Sequence, residues 1–347
     1  MNLNALILIV AISIVFCANS RADAAADFAE ACRERAASGE GISVVGDDGW
    51  LFLRAELAHL GKGEFWGDAA QVVSTASSKD RRNPLPAITN YFHSLGREEI
   101  ELLLVPVPPK AVVYPEPAVG IDLPPAPSRL DGVHENFYQI LSSNGIQVID
   151  LGPEYTASRS ATNEFYCRTD THWSGFGCVR AAQRMAERIK TMDWYESVPK
   201  HDFVAEWRTR TIDGDLRRAV PGEAAPAKET ISIRFVGRKS GDELQPVDPD
   251  PLSPVLVMAD SHGLVFHAGG DMHGIGAGLA DQLSYELGFP VALIAMRGSG
   301  ATPPRESLFR KARKNPEFLN TKKVVVWCFT AREFTETDGW MEVPVKR

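Results

Sequence analysis

Three stretches of this chain are almost continuously apolar: IELLLVPV (100–107), SPVLVMA (253–259) and KKVVVWCF (322–329). A strand with one wet face alternates polar and apolar residues, whereas one buried on both faces does not. Such runs demand cover on both sides, and in a parallel sheet helices supply it. The segments between them read as those helices. Residues 84–97 carry Ile88, Tyr91, Phe92 and Leu95 at helical spacing, and GFGCVRAAQRMAERIK (175–190) repeats Ala, Met and Ile in the same way. Further helices are expected at 129–143, 278–287 and 304–314, and shorter strands at GIQVIDL (145–151) and VALIAMR (291–297). The expectation is an α/β fold: a mostly parallel sheet with helices on both faces. GISVVGDDGWLFL (41–53) adds an N-terminal hairpin turning on Asp-Asp-Gly. Residues 200–254 are polar and rich in Pro and Gly, with a strand pair around ISIRFVG, and read as a loop-rich insertion or lid.

The 347 residues suffice for one large α/β domain, here 25–347. Thirty-seven Lys and Arg against 45 Asp and Glu give a net charge of −8. That excludes nucleic acid as a partner, and an anionic polymer would need a locally basic groove. Residues 1–24 hold an apolar run from Ala5 to Cys17 followed by small residues, the pattern of a signal peptide or N-terminal anchor. The chain is therefore expected in the periplasm, free or tethered to the inner membrane. Beyond the signal lie Cys32, Cys167, Cys178 and Cys328, which allow three fully paired connectivities. A Cys167–Cys178 bridge would clamp the loop between them, and Cys328, within VVVWCF, reads as a buried thiol.

That loop, YCRTDTHWSG (166–175), places Asp170 and His172 on either side of a single threonine. In an extended loop both side chains can project to one side, the carboxylate holding one imidazole nitrogen and leaving the other free. Alone the pair could equally be an Asp-capped turn into the next helix. VLVMADSHG, however, sets Ser261 just past the end of an apolar strand, where ligands of open α/β sheets bind. Ser261, His172 and Asp170 together are the nucleophile, base and orienting acid of a serine acyl-transfer triad.

Five blocks in order, GDDGWLFL (46–53), VPVPPKAVVYP (105–115), YCRTDTHWSGFG (166–177), MADSHG (258–263) and AMRGSG (295–300), resemble the SGNH-type O-acetyltransferases of bacterial exopolysaccharide export, the alginate AlgJ/AlgX family. The resemblance spans about 40 to 335. It implies a permuted SGNH-hydrolase-like fold that moves acetyl groups onto hydroxyls of alginate or a similar polysaccharide. It also implies an acetyl donor supplied by a membrane O-acyltransferase, and other proteins of an export complex as partners. Ser261, His172 and Asp170 match the family's nucleophile, base and acid, and Arg297 matches an arginine on the active-site side. The family's tightest motif reads Gly-Asp-Ser, where this chain has Ala259-Asp260-Ser261. Some members carry a C-terminal carbohydrate-binding module; a chain ending at 347 resembles the shorter ones.

The implied reaction is two-step and calls for no cofactor: Ser261 takes the acetyl group and a sugar hydroxyl collects it. Backbone N–H groups at Ser261 and nearby glycines, with Arg297, are the oxyanion candidates. Trp173 is either a platform for a sugar ring or a core wedge under the loop. His262, His267 and His273 with Asp271 match no zinc spacing, so no metal is expected. GGDMHGIGAG lacks the Lys-Ser/Thr ending of a phosphate loop and is expected to open a helix. RKARK (310–314) reads as a solvated helix face, and Lys110 points toward the crevice without a readable partner. Two other functions fit: a secreted carbohydrate acetyl esterase, or a non-catalytic scaffold of an export complex.

Overall fold

The computed structural model describes residues 24–346 apart from 126, 127 and 242, so the segment read as a signal or anchor lies almost wholly outside the described residues. Among these no helix is long and apolar enough to cross a membrane. The apolar runs form a five-stranded sheet of β3 (Glu101–Val107), β4 (Gln147–Val148), β8 (Val255–Ala259), β9 (Ala292–Ala295) and β10 (Val324–Thr330), in the order β4-β3-β10-β8-β9. All neighbours in it are parallel. The last strand in sequence is thus the central one, and all seven of its residues are buried.

Alternate side chains of β10 feed two cores, as a two-residue period requires. Val324, Val326 and Cys328 join the first, where α3 (Gly175–Ile189) contributes Met185 and Ile189 and α4 (Leu279–Leu287) contributes Leu283 and Leu287. Val325, Trp327 and Phe329 join the second, with Tyr91 and Leu95 of α1 (Pro84–Gly96), Phe137 and Leu141 of α2 (Gly132–Ser143), and Leu308 of α5 (Pro303–Lys314). The expected layers are therefore present. The RKARK charges lie exposed on α5, apart from its buried Ala312.

The hairpin pairs β1 (Ser43–Val45) with β2 (Leu51–Leu53), and Asp48 and Gly49 adopt positive φ in its turn. Where a loop-rich insertion is expected, the structure has a three-stranded antiparallel sheet: β5 (Val204–Ile212), β6 (Glu229–Ser240) and β7 (Glu243–Pro246). The strand around ISIRFVG pairs along the whole of β5. This sheet has no separate core, because Ile231 and Ile233 join the first core of the main sheet. β6 seats closely on α3: a Cβ on Gly175 would meet the Ser232 carbonyl at 2.3 Å.

Candidate active site

The ends of β3, β8, β9 and β10 all point to one side of the sheet, and the polar clusters gather there. The loop 167–172 is closed at its base by a bridge between Tyr166 and Trp173 and by the His172 carbonyl accepting from Cys167 N at 3.2 Å. Ser174 then caps α3, its hydroxyl accepting from Gly177 N at 3.1 Å.

Inside this loop Asp170 meets four donors. One carboxylate oxygen accepts from His172 N at 3.0 Å and lies 2.6 Å from His172 Nδ1. The other accepts from Asp215 N at 2.9 Å and lies 2.8 Å from His273 Nε2. Burial would raise this carboxyl, but the charge and hydrogen bond of His172, and after them His273, hold it well below the ordinary carboxylate value. An ionised carboxylate only accepts, so His172 carries its proton on Nδ1 and presents the Nε2 lone pair. That Nε2 is buried and makes no hydrogen bond. Burial opposes a charged His172, yet Asp170 outweighs it and raises the imidazole pKa.

The loop backbone is held from four sides. Lys110, 1 % exposed, donates from Nζ to the carbonyls of Leu51 (2.7 Å), Arg168 (2.9 Å) and Asp170 (3.1 Å). Three carbonyls use all three ammonium protons. Leu51 of β2 returns a bond from its N–H to the Arg168 carbonyl at 2.8 Å. Glu229, at the start of β6, accepts from the N–H groups of Arg168 and Thr169 at 2.8 and 2.9 Å. Asp215 accepts from Thr171 N at 2.8 Å and from its hydroxyl at 2.6 Å. Neither the Lys110 role nor those of Asp215 and Glu229 were readable in the sequence.

Ser261 opens the turn Ser261–Gly263 at the end of β8. Asp260 shapes that turn: it accepts from His262 N at 2.8 Å and, through its other oxygen, from Thr330 N at the end of β10 at 2.9 Å. Burial works against the Asp260 charge, but His262, then Arg332 and the Thr330 N–H, bring it down to about 2. His262 Nδ1 lies 3.2 Å from the same carboxylate. Burial dominates at His262 and pushes its pKa down, so this second imidazole is neutral. Its ring stands 4.9 Å from that of His172 and 5.0 Å from that of Trp173. The turn carrying Ser261 and the loop carrying His172 therefore meet through His262. No hydrogen bond joins Ser261 to His172 Nε2.

Other expected residues take different places. Trp173 is fully buried with its edge against His262, so it is the wedge and not a sugar platform. Arg297 has 55 % of its side chain exposed and spends both terminal guanidinium nitrogens, Nη1 and Nη2, on Asp271, at 2.5 and 2.7 Å, on the rim two residues from His273. The Cys167–Cys178 bridge is absent: both are free thiols, as are Cys32 and Cys328. Cys167 faces the Trp173 carbonyl at 3.5 Å, whereas α3 turns Cys178 toward the Ala277 carbonyl at 3.9 Å. The metal-like histidines part company, with His262 on Asp260, His267 on Asp281 and His273 on Asp170. Asp170, His172 and Asp215 do bring potential ligand atoms within 4.8 Å, but both carboxylates are already engaged by the donors described above. The glycine-rich stretch opens α4, with Asp281 accepting from Gly278 N at 2.9 Å.

A parallel sheet with an Asp–His loop facing a post-strand Asp-Ser turn is the layout of an SGNH-hydrolase-like α/β protein. Residues 44–331 match the family described as SGNH hydrolase-like domain, acetyltransferase AlgX, and the chain belongs to that family. A probable alginate O-acetylase AlgJ of Pseudomonas aeruginosa is 29 % identical over 55 % of this chain and 45 % of its own length. Its counterpart in Pseudomonas syringae pv. tomato is 27 % identical over 83 % of this chain and 68 % of its own. The chain thus spans about half to two thirds of the length of these relatives. The solved O-acetyltransferase domain of Pseudomonas putida AlgJ superposes with a TM-score of 0.62 at 24 % identity, covering 86 % of this chain and 94 % of that domain. At that identity the likeness speaks for the fold.

Proposed function

We propose that this chain is an O-acetyltransferase that moves acetyl groups onto hydroxyls of an exported polysaccharide of the alginate type, through an acetyl-serine on Ser261. The observation that carries this reading is the buried His172 Nε2, held ready by Asp170 and left without a partner, within a family of SGNH-like acetyltransferases. Relatives named as alginate O-acetylases support the acceptor class. In the first step Ser261 Oγ attacks the acetyl carbonyl while its proton passes to His172 Nε2. The oxyanion is met by backbone N–H groups at Ser261 and nearby glycines. Collapse expels the donor's leaving group, which takes the proton from His172. A sugar hydroxyl then gives its proton to His172 and attacks the acetyl-serine, and Ser261 Oγ leaves with that proton, restoring the free serine and the neutral imidazole. His262, its ring against those of His172 and Trp173, sets the spacing of the two segments. The apolar run in residues 1–24 supports export to the periplasm, where a membrane O-acyltransferase would deliver acetyl groups and other export proteins would present the polymer.

Intact-mass analysis with a chromogenic acetyl ester tests this. Wild type should gain one acetyl mass and release chromophore, and Ser261→Ala should do neither. Oligosaccharide acceptors should then gain acetyl groups faster than acetate appears. Free acetate alone would make the chain an esterase, and an inert wild type across a pH series would leave a scaffold.

A further inference from the structure

His273 has one face toward the site and one toward a separate cavity. Its Nε2 lies on Asp170, while its ring lines a space of about 450 Å³ together with Arg210, at the end of β5, and Arg218, in the turn after Asp215. Among the described residues neither arginine joins an ion pair; Arg218 only donates to the Asp213 carbonyl, and the Arg210 side chain makes no hydrogen bond. The acids of the same wall are committed elsewhere: Asp213 to Arg217 at 2.7 Å, and Asp271 to Arg297. Gly269, Gly270 and Gly274, with Thr211, Ile212 and Ile275, make up the rest of the lining. A chain of net charge −8 thus keeps two exposed guanidinium groups outside any described ion pair, one of them held by a backbone carbonyl, beside the residue that bonds Asp170. A larger cavity of about 780 Å³, walled by Arg168, Glu229 and exposed Trp207, likewise includes none of Asp170, His172 or Ser261, and it lacks a residue bonded to the Asp170 carboxylate such as His273.

We propose that the Arg210–Arg218 cavity is a carboxylate-binding subsite for a hexuronate unit of the acceptor chain. The proposal rests on the acetyl-transfer reading and adds to it the residues that would recognise an acidic sugar. A guanidinium offers a planar fork that matches a carboxylate, and two of them around one space favour an anion over a neutral ring. The volume suits a sugar unit. Both arginines come from the 200–254 segment, which also supplies Asp215 to the Asp170 loop, so one segment both shapes the base and receives the acceptor.

The test is direct binding to full-length Ser261→Ala, which cannot turn over. An oligouronate and the same oligomer with its carboxyl groups reduced are titrated at low and moderate salt. The oligouronate is expected to bind about tenfold or more tightly, with a preference that shrinks as salt rises. Arg210→Ala and Arg218→Ala should each weaken oligouronate binding by roughly tenfold and leave the reduced oligomer unaffected, and Arg218→Lys should recover part of the loss. Equal binding of the two oligomers, or a preference that survives both substitutions, overturns the subsite. Acetyl-enzyme formation by wild type is scored separately. Arginine-dependent uronate binding without acetyl-enzyme would sink the transfer reading and keep the subsite, whereas acetyl-enzyme without that dependence would do the reverse.

Discussion

In the proposed reaction His172 is the base, and its surroundings set a measurable pH behaviour. As a base it must be neutral, and Asp170 raises its pKa while burial pulls the other way. Acetyl-enzyme formation should therefore rise with pH through a midpoint above the ordinary histidine value of about 6.5. In Asp170→Asn the raising charge is gone and burial remains. The midpoint should move to lower pH, and the rate at neutral pH should fall roughly a thousandfold or more, because the tautomer is no longer imposed. A pH–rate profile of both proteins checks the two effects together. An unmoved midpoint would mean that Asp170 does not govern the base. His273, on the other Asp170 oxygen, adopts φ 67, and Phe266 earlier in the same loop adopts φ 61. Side chains other than glycine rarely sit there, and each such residue costs on the order of 1 kcal/mol. That strain lies in the loop that delivers His273 to the carboxylate.

At the scale of elements, the Asp170–His172 loop is shaped mainly by what is packed against it. Gly214 backs directly onto it: a Cβ there would meet the Thr169 carbonyl at 2.0 Å. Gly214→Ala should displace the loop and cut turnover at least about tenfold, although residue 214 touches no reacting group. A crystal structure of the variant, or its turnover compared with its melting temperature, would check this; normal turnover would show that the loop tolerates the shift. The same dependence explains what could be read from the sequence. β3, β8 and β10 announce themselves because both faces are buried and their runs are apolar throughout. Asp170 and His172 are legible because their contact spans only two residues. Asp215 and Glu229 act on the loop from 45 and 61 residues away, a distance that no local pattern crosses. β5, VAEWRTRTI, is exposed along most of its length and lacks the alternation that would mark it as a strand. The cysteine pair misled for a related reason. Spacing suggests a clamp around the loop, but the first turn of α3 swings Cys178 toward α4.

Over the whole molecule, the sheet's upper end holds a second acid whose protonation is coupled to folding. Burial raises Glu333, just after β10, to about 7, only partly offset by Arg332 and by the bond from Ser299. A carboxyl with a folded pKa above its unfolded value of about 4.3 holds its proton more firmly in the native state. The stability it contributes is complete at low pH and is lost as pH rises toward 7, by about 3 kcal/mol. Glu333→Gln keeps a neutral group there, so its stability should decline less between pH 5 and 8; denaturant titrations at those two values would reveal it. An identical slope in wild type and variant would remove Glu333 from the account. Lys110 has a different kind of reach. Its single ammonium joins the end of β3, the N-terminal hairpin and the Asp170 loop, while Asp215 and Glu229 close the loop from the segment beyond residue 200. The loop of Asp170 and His172 is thus held by residues drawn from widely separated parts of the chain, and under the proposed mechanism a chain that has not yet brought them together would have Ser261 without its base. On that reading reactivity would be a property of the finished tertiary structure alone, and the fold would act as its own safety catch.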